Sequence, residues 1–260
     1  MKRIALIASG LLAAQAASAG VYVETVNRDI AAGTTTPKQK IYVQNGSGRF
    51  VDPEGRSTLI KGNTLYMIDD KDRSYIEFDK ATMEQVAKKL SAQMEQLKAQ
   101  MAKLPPEQRA QMEQMLGGAG LNGTPRTVDV ADTGKSDKVE GRTCKVWDVT
   151  RDGVLDEQIC VVAYSALPGK ENFSTVFGNF SKVFEEMAKS VPMLSGMMAN
   201  EFSAYVKTNG YPVRQRAYDN GKLVGEETIV KVWREEVVPA TTFEVPTGYT
   251  RKTMPVGPAQ

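Results

Sequence analysis

Hydrophobic periodicity shifts from two residues to about 3.6 in only two stretches of this chain, and this limits the fold more than any other feature. Elsewhere, short alternating runs are separated by turn residues. That is the pattern of antiparallel strands with one covered and one more polar face, as in Ile41-Tyr42-Val43-Gln44. Strands are predicted at Gly20–Asn27 and Lys40–Asn45 around the polar turn Ala31–Pro37, then at Gly48–Val51 and Ser57–Ile60. Thr64–Ile68 and Ser74–Phe78 form a hairpin around Asp69-Asp70-Lys71-Asp72, acids that read as a solvated turn because the EF-hand pattern is absent. Strands resume near Arg126–Val130. Further ones are predicted at Glu201–Lys207, Val213–Tyr218 and Leu223–Trp233, the last two joined by the hairpin signal Asp219-Asn220-Gly221.

The first helical stretch has Asp79 as its cap and Phe78 with Met83 as a hydrophobic staple. Met83, Ala87, Leu90, Met94, Leu97, Met101 and Leu104 alternate spacings of four and three, a heptad seam. Pro105-Pro106 ends this helix and starts a shorter one at Glu107–Leu116, with Met112 and Met115, before the flexible connection Gly117–Gly123. The second stretch follows Pro168-Gly169 and runs from about Phe173 to Val191. Its stripe, Phe173, Phe177, Phe180, Phe184, Met187 and Val191, holds half of the 8 Phe in the chain. The order of strands, helix pair, strands, helix and strands predicts an α+β fold, a meandering antiparallel sheet with amphipathic helices inserted between hairpins. The expected organisation is one domain over 20–250 with a helical insertion at about 79–116, and a loose tail over 251–260.

Cys144 and Cys160 are the 2 cysteines, and they flank a hairpin. Lys145–Thr150 and Val154–Ile159 read as its strands and Arg151-Asp152-Gly153 as a three-residue loop. That loop sets Thr150 opposite Val154 and so sets Cys144 opposite Cys160, close enough to bridge. Neither C-x-x-C spacing nor a histidine supports a redox or metal-binding pair.

Lys2-Arg3, the apolar stretch 4–12 and the small-x-small triplet Ala17-Ser18-Ala19 read as a secretory signal peptide over 1–19, cleaved between Ala19 and Gly20. A periplasmic or secreted mature chain follows, an oxidising setting that favours the disulfide. The apolar run is too short to span a bilayer, so no transmembrane segment is expected. Loss of Lys2 and Arg3 takes Lys+Arg from 33 to 31, equal to the 31 Asp+Glu. A neutral chain without a basic block gives no electrostatic reason to expect a nucleic-acid partner. There is no histidine, which removes the usual neutral-pH base, the Ser-His and Cys-His pairs and nearly every catalytic zinc site. G-x-S-x-G, S-x-x-K and the phosphate-cradling G-x-x-x-x-G-K-[ST] are all missing. The adjacent acids Glu185-Glu186, Glu226-Glu227 and Glu235-Glu236 point apart on a helix or strand and read as solvated faces. No enzyme activity and no cofactor are expected.

Three segments carry a likeness to a known family: the strand pair Lys40–Phe50 leading into Leu65-Tyr66-Met67-Ile68-Asp69 and Ser74-Tyr75-Ile76-Glu77-Phe78, the Cys144–Cys160 hairpin with Trp147, and the ending Phe243-Glu244-Val245-Pro246-Thr247-Gly248-Tyr249. Together they resemble a widespread family of secreted bacterial proteins known only as a domain of unknown function. Its fold is similar to that of the LolA/LolB lipoprotein carriers. The resemblance implies a curved, half-barrel-like antiparallel sheet with helices over its concave side. The long helix pair at 79–116 departs from the compact carriers.

Three functions fit. In the leading one, the chain is a non-catalytic binding protein. Phe173, Phe177, Phe180 and Phe184, with Met94 and Met101, line a cleft for a lipid or other apolar ligand, or an envelope component. The same stripes also suit an ordinary core. In the second, the heptad helix 83–104 zips to another copy or to an envelope protein. In the third and weakest, Met193, Met197 and Met198, or Met112 and Met115, hold Cu(I) through thioethers.

Overall fold

The computed structural model describes residues 19–111, 127–179, 207–219 and 221–253. Its described strands form one twelve-stranded sheet in the order β12-β6-β5-β4-β3-β2-β1-β11-β10-β9-β8-β7. The first meander is β1 (Gly20–Asp29), β2 (Thr35–Gln44), β3 (Ser47–Val51), β4 (Arg56–Lys61), β5 (Thr64–Asp69) and β6 (Ser74–Phe78). The second is β7 (Val128–Val139), β8 (Arg142–Arg151), β9 (Val154–Ala163), β10 (Gly210–Asp219) and β11 (Lys222–Glu236). Antiparallel pairing of β1 with β11 joins them. β12 (Thr250–Arg251) adds a short parallel edge beside β6. The sheet is open, with β12 and β7 as its two edges.

Three bulges interrupt neighbouring ladders at the middle of the sheet. Lys38 on β2, Lys231 on β11 and Val213 on β10 are each left without a direct partner. An extra residue bends its strand and increases the local twist, which curves the sheet here.

Among the described residues, three α-helical segments interrupt the sheet. α1 (Lys80–Met101) follows β6 and packs on it. Asp79 caps α1, its Oδ1 accepting from Thr82 N at 2.7 Å. The expected run to Leu104 is cut short at Met101. Leu104 precedes a proline, and the pre-proline position disfavours helical backbone. Arg109, on the helical segment α2 (106–111), closes the end instead. It donates to the carbonyls of Met101, Ala102 and Leu104 at 3.2, 3.0 and 3.3 Å. α3 (170–179) lies between β9 and β10.

Neighbouring strand residues point to opposite faces, so the sheet has two cores. On one face Val21, Val23, Ile41, Val43, Ile60 and Trp233 meet Phe173 and Val176 of α3. On the other, Leu59 and Ile68 are covered by Val238 and Phe243, from the chain that returns after β11. Val149, Ile159 and Val161 form a smaller cluster with Trp147.

The cysteine hairpin differs from the expected one while keeping its bridge. Asp152 and Gly153 form a two-residue turn, both with positive φ (51° and 80°), and Arg151 faces Val154. Asp156 is then extra on β9, so Val146, and not Cys144, lies opposite Cys160. Cys144 and Cys160 are diagonal neighbours bridged with their Cα atoms 5.4 Å apart.

Other boundaries also shift. The Ala31–Pro37 turn is shorter than expected, since β2 begins at Thr35 and tolerates Pro37 beside the Lys38 bulge. The strand expected near Arg126–Val130 is the start of β7, a twelve-residue edge strand that begins at Val128 and turns at Glu140-Gly141 into β8. Arg251 and Lys252 are tied to β6, the latter through its N donating to Tyr75 O at 2.7 Å, so the tail does not begin at 251. Residues 1–18, 112–126, most of the Glu201–Lys207 strand and 254–260 lie outside the described residues. So do Phe180, Phe184, Met187 and the methionines proposed for Cu(I).

Candidate binding face

α3 is seated by close backbone approach. Pro168-Gly169 breaks the chain before it, and Gly169 has φ 65°. A Cβ at Gly169 would lie 2.2 Å from Val21 Cγ2, and one at Gly48 would lie 2.8 Å from Val176 Cγ1. Only glycine lets helix and sheet meet at these points. Asn172 accepts from Asn45 N and donates to Ala19 O, both at 3.1 Å, and Asn179 donates to Gly46 O at 2.9 Å. Gly20, the expected mature N-terminus, opens β1 opposite Glu236.

Under α3 sits an aromatic cluster. Phe173 is 1% exposed. Its ring stacks on Trp233 with centroids 4.6 Å apart and meets Tyr211 edge-on at 5.5 Å. Trp233 donates its indole N–H to Pro168 O at 3.1 Å, which ties the strand to the start of the helix. Burial raises the pKa of the Tyr211 phenol. Phe177 lies 6.1 Å from Phe173 between ring centroids, and Phe50, Tyr164 and Phe177 are half-buried against the same cluster. Phe173 is therefore sealed core and exposes almost nothing to a ligand, whereas Phe177 lies at the margin of the same cluster. The other two ligand candidates belong to α1. Met101 is buried at its C-terminal end, and the side chain of Met94 lies outside the described set.

A second feature of this sheet was misread from sequence. Glu227 is buried, while Glu226 beside it is exposed. Directly paired residues share a face, so register defines rows across the strands. Cys160, Arg214, Ile229 and Val26 form one row across β9, β10, β11 and β1. Two residues along, Asp148, Gln158, Arg216, Glu227 and Arg28 form the next, beginning on β8. Arg28 forks onto Glu227 Oε1 through Nε and Nη2, and Arg216 Nε donates to Oε2 at 2.6 Å. Arg214 Nη1 donates to Asp137 Oδ2 at 2.5 Å, while its Nε stands 3.8 Å from Glu227 Oε2. Burial raises the Glu227 pKa, but hydrogen bonds from Arg216 and Arg28 outweigh it and hold the carboxyl below its ordinary value. The sequence signal was thin: Arg214 and Arg216 two apart on a strand, and Arg28 on a strand 199 residues from its partner.

Among the described residues no three His, Cys, Asp or Glu side chains come together as a metal site. No described helix is long and apolar enough to cross a membrane.

Residues 81–249, from α1 to the Tyr249 ending, match a family described only as a domain of unknown function, DUF4412. The chain belongs to this family. No curated protein matches it. A crystal structure of an uncharacterized conserved protein from Thermus thermophilus is similar over 90% of each chain, at 8% identity and a TM-score of 0.41. The match to DUF4412 includes the disulfide hairpin, α3 and the strands that carry Arg214, Arg216 and Glu227, while Arg28 lies on the preceding meander.

Proposed function

We propose that this DUF4412 protein is a secreted, non-catalytic binding protein that holds an apolar molecule or an envelope component on the α3 side of its sheet. In this reading the sheet works as a half-barrel, like those of the LolA/LolB lipoprotein carriers. The observation that carries it is an open sheet whose main apolar face meets a helix through the Phe173–Trp233 stack, with Phe50, Tyr164 and Phe177 half-buried against the same cluster. Closed barrels bury such a face on themselves, whereas an open sheet leaves it to be covered by a helix and, beside the helix, by a ligand. The bulges at Lys38, Val213 and Lys231 supply the curvature a half-barrel needs. The Cys144–Cys160 bridge suits an oxidising compartment.

Titration of delipidated protein with a fluorescent fatty acid tests this. Saturable binding that Phe177→Ala weakens is expected. Absence of binding by folded wild-type protein would count against the apolar reading.

A second reading uses α1 for self-association. Most described side chains of this 22-residue helix are exposed, as in an arm that meets a partner along its heptad seam. A concentration-dependent dimer in sedimentation, lost on Leu97→Glu, would favour it.

A further inference from the structure

We infer that the Arg28–Arg216–Arg214 row recognises an oxyanion, a carboxylate or phosphate, and that it receives the charged head of the ligand the sheet holds. This rests on the apolar-binding reading for the tail but not for the head.

Three guanidinium groups pair with two carboxylates, Glu227 and the half-exposed Asp137, while Asp148, the row's other acid, accepts from Gln158 and among the described residues pairs with none of the three arginines. Among the described residues Arg28 and Arg216 pair with no acid other than Glu227. Burying a charge is costly unless it is paired, and three arginines around the one buried carboxylate of Glu227 leave positive charge that a further anion would offset. The second point is an unmet donor. Arg214 is 5% exposed and its Nε has no hydrogen-bond partner among the described residues. Buried unmet donors are rare and mark a site that something else completes.

The row is also accessible. Arg28 and Arg216 are 35% and 26% exposed, so their outer N–H edges stay open while their inner edges are held by Glu227. Planar guanidinium edges fixed in this way match carboxylate or phosphate geometry. Beyond the row, three adjacent hairpin tips at one end of the sheet carry Ile30, Val154, Leu223 and Val224, four of the six exposed large hydrophobic residues described. Ile30 N donates to Gly225 O at 2.9 Å and ties two of these tips together. An anionic head at the arginines, next to the row of Val26, Ile229 and Cys160 on the same face, fits an amphiphile better than a free ion.

The test uses full-length, delipidated mature protein and four probes: laurate, dodecyl phosphate, 1-dodecanol and inorganic phosphate, each titrated calorimetrically. Laurate and dodecyl phosphate should bind roughly tenfold more tightly than dodecanol, the scale of one charge-assisted pair. Arg216→Gln and the more exposed Arg28→Gln should each erase that preference and leave dodecanol unchanged. Glu227→Gln removes the internal competitor and should strengthen laurate binding. Thermal melts on the same samples confirm that each variant folds. If dodecanol binds as well as laurate, or if both arginine variants keep the preference, the inference fails while the apolar reading stands. If inorganic phosphate binds through Arg216 and dodecanol does not, the anion site stands and the apolar reading fails. If no probe binds, both fail.

Discussion

Phe173→Ala separates a sealed anchor from a ligand contact. The wild-type ring is 1% exposed, stacks on Trp233 at 4.6 Å and touches Tyr211 at 5.5 Å. Truncation removes nearly the whole apolar area of a Phe and leaves a cavity between Trp233 and Val176, neither of which shrinks to fill it. Such changes cost roughly 3–5 kcal/mol, with the two aromatic contacts pushing toward the upper end. A domain of this size loses about 2–4 °C of Tm per kcal/mol, which predicts a fall of roughly 6–20 °C. Phe177 is half-buried in the same cluster, so Phe177→Ala should cost about half as much and fall chiefly on probe binding. Urea denaturation of wild type and both variants, with equal m-values, gives the difference directly. A loss below about 1 kcal/mol for Phe173→Ala, or a larger loss for Phe177→Ala than for Phe173→Ala, would refute this packing account.

Three further outcomes follow from the geometry. Reduction of Cys144–Cys160, or their joint replacement by Ala, should lower stability by roughly 3 kcal/mol with the sheet retained; two reactive thiols in protein isolated under oxidising conditions would contradict the bridge. Glu227 and Asp137 have folded pKa values below their unfolded ones, so the stability they add is present above the ordinary carboxylate range and is lost as pH falls through the folded values. Urea midpoints should therefore drop below about pH 4, and Glu227→Gln should flatten that drop; a wild-type midpoint unchanged down to pH 3 would oppose it. Gly48→Ala places a Cβ 2.8 Å from Val176 Cγ1 and should cost about 1–3 kcal/mol, and a neutral result in thermal melts would mean that α3 does not sit against β3 as described.

Local signals made most elements legible. Alternation located β1, β3, β4, β5 and β6 to within a residue or two, and Asp79 marked the start of α1 as a capping side chain should. The cysteine pair was readable because both residues sit on strands joined by a glycine turn. The register between them was not, because the Asp156 bulge depends on how β8 and β9 twist together. β7 was largely missed, since Ala131-Asp132-Thr133-Gly134-Lys135-Ser136-Asp137-Lys138 is mostly polar and an edge strand needs no apolar alternation. The Phe stripe announced α3 but left open whether Phe173 faced a cleft or a core. Trp233, sixty residues away, decides that by stacking on it. The Glu227 row was invisible for the same reason: its members lie on five strands, and Arg28 joins the other four only through the β1–β11 pairing.

Native mass spectrometry of the protein purified from a periplasm decides whether the sheet holds an amphiphile. The expected spectrum shows a chain beginning at Gly20, with its disulfide intact, carrying one additional non-covalent mass in the range of an amphiphile. That mass should be lost on collisional activation and absent from Arg216→Gln. A bare chain in every charge state, from protein that also binds no fatty-acid probe, would contradict it.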